Sequence, residues 1–113
     1  MSRQASGLRA WVLQRVTAIY LLLFFPYLIL TFAGSPPPDH DALIAWLTSP
    51  GVGVGLLLFV LSLLIHAWVG VRDVLIDYVR PPGARLTLLV LLGLALAACG
   101  LWALEIVLLA RTA

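Results

Sequence analysis

GVGLLLFVLSLLIHAWVGVRDVLIDYVRPP, residues 53–82, decides how the chain must be read. Up to Val71 its only polar side chains besides the indole of Trp68 are Ser62 and His66; Arg72 and Asp73 then follow, and a proline pair closes the stretch. At about 1.5 Å per helical residue, an apolar run over residues 53–76 crosses a hydrocarbon layer about 30 Å thick. Two further runs, 15–33 and 85–110, are long enough to do the same. The composition agrees: 63% of the 113 residues are apolar and 11% charged, with a mean hydropathy of +1.10, where soluble chains carry roughly 25% charged residues. The expected fold is therefore all-α, an integral membrane protein with three transmembrane helices. A bundle this small hides few polar groups from lipid by itself, so it is expected to be part of a heteromeric helix bundle.

The organisation follows as a single domain. Residues 1–14 form a polar arm, 34–52 an outer connection and 77–84 a turn between the second and third spans. Arginines precede the first apolar run and Ala33, Gly34 and Ser35 follow it, as in a secretory leader. That run is longer than the roughly 7–15 apolar residues of a leader, so it is read as a span. Pro26 inside it predicts a kink. Within the connection, GSPPP cannot continue a helix. Asp39 is placed to cap HDALIAWLTS as a short helix in the headgroup layer, with an ordinary loop as the alternative.

Orientation follows from the arginines, because cytoplasmic loops accumulate positive charge. Of seven basic residues, Arg3, Arg9 and Arg15 precede the first span and Arg72, Arg80 and Arg85 cluster near the second turn; the outer connection carries Asp39 and Asp41 and no cation. The N-terminus is expected on the cytoplasmic side and the C-terminus on the opposite side of the membrane. Trp11, Trp46 and Trp102 fall near the expected interfaces. A net charge of +2 is too small to track a phosphate backbone, and no nucleic acid is expected. Cys99 is the single cysteine, so this chain alone builds neither a disulfide nor a cysteine-ligated cluster.

Ionisable residues inside a bilayer mark function or partners. On the second span, Ser62, His66, Gly70, Asp73 and Asp77 follow at spacings of four, four, three and four, which sets them on one helix face. His66 lies about 16 Å along the axis from Asp77, close to mid-membrane. A neutral imidazole there needs partners for both ring nitrogens, supplied by an interhelical hydrogen bond, a metal or a haem iron. Gly70, one turn away, either lets a flat macrocycle approach or simply allows close helix packing. At the end of the span, Asp77 and Tyr78 suit hydrogen bonding to a quinone carbonyl at the membrane boundary, and suit an ordinary interfacial anchor equally. His40, in the outer connection, cannot reach the same depth as His66, so a six-coordinate iron would need a ligand from another chain.

The string IHAWVGVRDVLIDYVRPPGARL, residues 65–86, closely resembles the second-helix signature of the small hydrophobic anchor subunits of succinate dehydrogenase, respiratory complex II. That pattern runs His, Ala, Trp, a branched residue and Gly, with an Asp-Tyr pair starting eleven residues after the His and followed by a basic residue and Pro. LQRVTAIYL, residues 13–21, is similar to the start of that family's first helix, where an Arg precedes a Thr-Ala pair. The third span matches in position and length only. Arg72 and Asp73 stand where the family often has an aromatic or polar residue, and their roles are unassigned.

The resemblance implies that His66 is an axial ligand of haem b, the second axial histidine coming from a cytochrome b556 subunit. It implies that Arg15 helps neutralise the haem propionates and Gly70 lets the haem pack. Tyr78 would hydrogen-bond ubiquinone, and Asp77 would shape that site. The implied assembly adds a flavoprotein holding FAD and an iron–sulfur subunit, with no catalytic activity in this chain alone. Its implied function is to anchor a succinate:ubiquinone oxidoreductase of the respiratory chain and tricarboxylic acid cycle. The alternatives are the anchor of a quinol:fumarate reductase, a small multidrug transporter, which should show four spans and a glutamate deep in the first, and a cofactor-free assembly protein.

Overall fold

The computed structural model describes residues 3–112, with side chains from residue 7 onward, as four helices in chain order: α1, Arg3–Gly34; α2, His40–Leu47; α3, Pro50–Tyr78; and α4, Pro82–Thr112. Among the described residues α1, α3 and α4 are long and apolar enough to cross a membrane, which makes three spans. The chain is all-helical, as its hydropathy pattern requires.

Each span is longer than its apolar run, because backbone hydrogen bonding propagates through polar helix formers once a nucleus exists. The polar arm is the clearest case. Residues 3–14 are the opening turns of α1, a proline-free stretch that includes Gln4, Ala5, Leu8 and Ala10; residues 1 and 2 lie outside the described part. The helix also continues without a break through Pro26, whose ring removes one intrahelical donor.

The outer connection is helical. Asp39 has an extended backbone and its side chain accepts from the Ala42 amide at 2.8 Å, satisfying one of the donors left open at a helix start. Pro50 then occupies the first turn of α3, where its missing amide costs nothing. At the other end α3 stops at Tyr78, so Asp77 and Tyr78 are its last helical residues and not part of the turn. Arg85 donates from Nε to the Val79 carbonyl at 3.0 Å, placing a cation at the negative end of α3.

The central element is α3, against which α1, α2 and α4 all pack. Between α1 and α3 the fit is aromatic. Phe24 stacks on Tyr20 with ring centres 5.5 Å apart and lies 5.8 Å from Phe59, while its ring fills the space a Cβ at Gly55 would need. Between α3 and α4, Gly93 faces Trp68 and Gly100 faces Leu64. Few side chains are sealed: Val52, Val69 and Thr17 are the buried ones among the described residues. The outward faces are leucine, isoleucine, valine and phenylalanine. Water would make such a surface costly, whereas lipid or a neighbouring apolar helix accepts it.

Candidate functional site

His66 occupies the middle of α3 and is half-buried against α1. Its Nδ1 lies 3.1 Å from the hydroxyl oxygen of Thr17. Thr17 is 5% exposed and is the buried polar residue of the described chain. Sequence spacing placed His66 correctly on an inward face but did not point to Thr17, because the register between two apolar helices is set by side-chain fit. The available signal was the threonine itself, a hydroxyl two residues into an otherwise apolar run.

One turn along α3, Gly70 also faces α1. A Cβ there would meet Gln14 Nε2 at 3.2 Å, so the absent side chain makes room for the Gln14 amide. Gln14 Oε1 is buried with no hydrogen-bond partner among the described residues. Beyond Gly70 the helices part into a polar notch of ≈ 410 Å³, lined among others by Trp11, Gln14, Arg15, Arg72 and Asp73. Its two cations are held differently. Arg72 pairs with Asp73 at 3.1 Å, whereas Arg15 sits over the Trp11 ring at 5.5 Å and has no carboxylate partner among the described residues. A cation–π contact at an exposed site is worth about 0.5–1 kcal/mol, which leaves the Arg15 charge available to an anion.

The polar face of α3 therefore divides. Ser62, His66 and Gly70 are half-buried, while Asp73 and Asp77 are exposed. Tyr78 is 80% exposed, the most open large side chain on α3. Twelve residues from His66, it is turned by about 120° around the helix, so it faces a different direction from the imidazole. The chain thus brings His66, Gly70, Thr17 and Gln14 together near Arg15 and leaves the Asp77–Tyr78 pair uncovered.

Residues 1–102 match the family described as the succinate dehydrogenase/fumarate reductase transmembrane subunit. The chain belongs to that family. It is 34% identical over 105 residues to the succinate dehydrogenase hydrophobic membrane anchor subunit of Coxiella burnetii, covering 93% of this chain and 91% of the relative. The protein of the same name from Rickettsia conorii is 37% identical over 90 residues, 79% of this chain and 71% of the relative. As a succinate dehydrogenase/fumarate reductase membrane anchor, the chain has a reason for its sparse interior and uncovered polar end. The four-span transporter alternative gives way, since this family accounts for nearly the whole sequence.

Proposed function

We propose that this anchor serves a succinate:ubiquinone oxidoreductase, co-ligating haem b through His66 and forming part of the ubiquinone site with Tyr78 and Asp77. The observation that carries the reading is the state of the imidazole. A histidine in the middle of a span has one ring nitrogen engaged by Thr17 and none of the described residues on the other. That is the donor set an axial ligand needs, since a ligating histidine commits its second nitrogen to a hydrogen bond. The notch next to it fits the charged edge of the same group, with Arg15 as its available cation.

Haem b, when bound, supplies one-electron redox chemistry. The chain's own residues hold and orient. His66 would hold the haem iron together with a histidine of a cytochrome b556 subunit, and Arg15 would offset propionate charge. Gly70 keeps the helix backbone low beside the imidazole. Tyr78 presents a phenol to a quinone carbonyl, and Asp77 offers a carboxylate at the end where protons arrive from water, for the two-electron, two-proton conversion of ubiquinone to ubiquinol. The exposure of Tyr78 supports a site whose remaining walls come from the cytochrome b556 and iron–sulfur subunits, with succinate oxidised on the flavoprotein. Arginine placement supports an N-terminus in the cytoplasm and a C-terminus in the periplasm of the bacterial inner membrane. Relatives named for succinate dehydrogenase favour this direction over fumarate reduction.

The test is a reduced-minus-oxidised absorption spectrum of the complex purified through a tag on this chain, for the natural protein and for His66→Ala. A b-type band that is lost or shifted in the variant is the expected result. A band that His66→Ala leaves unchanged overturns ligation by this residue.

A further inference from the structure

We infer that Thr17 is a positioning residue for the haem ligand: its hydroxyl fixes the tautomer of His66, so that Nδ1 carries the proton and Nε2 presents its lone pair. The inference rests on the proposed ligation by His66 and adds the group that makes the imidazole fit for it. The argument is a count of protons. A threonine hydroxyl has one, and of the three acceptors within reach the nearest are the Leu13 carbonyl at 2.6 Å and His66 Nδ1 at 3.1 Å. A contact of 2.6 Å lies at the short end of the O–H···O range, whereas 3.1 Å lies at the long end for a bond involving nitrogen. The Gln14 carbonyl at 3.2 Å stands on the same side as that of Leu13, which is the usual back-bond of a helical threonine to the preceding turn.

With the hydroxyl proton directed at Leu13, the oxygen meets Nδ1 through a lone pair, and the bond between them requires Nδ1–H as donor. A neutral imidazole holds one proton, so Nε2 is left without one. Burial makes the arrangement hold. Thr17 is 5% exposed, no water competes for its hydroxyl in an apolar span, and reversing the tautomer would either leave Nδ1 unpaired or strip the Leu13 carbonyl of its short second bond, leaving it the helical amide alone. A hydrogen bond accepted from Nδ1–H also makes the imidazole a stronger donor through Nε2 and fixes its ring plane.

The experiment compares Thr17→Val, which keeps the shape and removes the hydroxyl, with Thr17→Ser, which keeps the hydroxyl, in the complex purified through this chain. The readouts are haem content, the rate of haem loss to a haem-free acceptor protein, the low-spin ferric electron paramagnetic resonance spectrum, and the haem midpoint potential. Thr17→Val should weaken haem retention about 10- to 100-fold, change the ferric spectrum and raise the potential, while Thr17→Ser stays close to the natural protein on all four. A Thr17→Val complex that is indistinguishable from the natural one overturns the inference, as does a Thr17→Ser complex that behaves like Val. If Thr17→Val fails to assemble, Thr17→Ala and Thr17→Ser decide: the hydroxyl must rescue the haem signals, and a serine variant no better than alanine overturns it. His66→Ala separates the two failures, because loss of haem there with no effect at Thr17 rejects this inference alone, and haem unchanged in both rejects the ligation on which it rests.

Discussion

The phenol oxygen of Tyr20 stands 2.7 Å from the main-chain carbonyl oxygen of Gly55, a hydrogen bond donated by α1 to α3 between two spans. A helical carbonyl has a second lone pair beyond the one its own helix uses, so this bond adds to the backbone ladder without breaking it. Tyr20→Phe removes the donor and leaves the carbonyl its helical partner. The expected loss is the net worth of one interhelical bond in lipid, about 0.6 kcal/mol and at most about 1.7. Unfolding in mixed detergent micelles reads it, and the haem spectrum should not move.

Gly55 and Gly100 are both crowded, by neighbours that differ in their freedom to move. A Cβ at Gly55 would enter the Phe24 ring, whereas at Gly100 it would meet Leu64 Cδ1 at 2.8 Å. Phe24 is held between Tyr20 and Phe59, but a leucine methyl can turn to another rotamer. Gly55→Ala is expected to cost about 1–3 kcal/mol through overpacking, and Gly100→Ala less. Equal losses in the same micelle assay would contradict the difference in freedom between ring and methyl.

Tyr78→Phe tests the quinone end of the proposed function. The substitution keeps the ring and removes the hydroxyl from a residue that is 80% exposed on this chain, so folding should be unaffected. Succinate-dependent ubiquinone reduction should fall by about 10²-fold if the phenol acts as a general acid, while succinate oxidation by a soluble dye stays near normal. Equal falls in both assays would place the defect elsewhere.

The spans were legible because a long apolar run is a one-dimensional signal. For α2 the sequence left two readings open, a helix capped by Asp39 or an ordinary loop, because eight residues carry too short a pattern to decide between them. The extension of α1 back to Arg3 was not legible, since residues 3–14 are too polar to register as membrane and carry no cap to announce a helix. At the site, His66 and the pair Asp77 and Tyr78 stood out as polar residues in or beside an apolar segment. Thr17 and Gln14 did not, the first lying just inside a span that sequence identified and the second in the arm before it. Their significance depends on how α1 meets α3, and that register comes from Phe24 seating against Gly55, a fact of shape that no spacing within either helix encodes.

Thr17 and two valines, Val52 and Val69, are the side chains that the described part of this molecule keeps sealed. A polypeptide built this way has a definite shape but almost no interior, so its fate after synthesis depends on company. Copies that find none should be the first to meet membrane proteases, and the abundance of finished assemblies would then follow whichever neighbour is made most slowly.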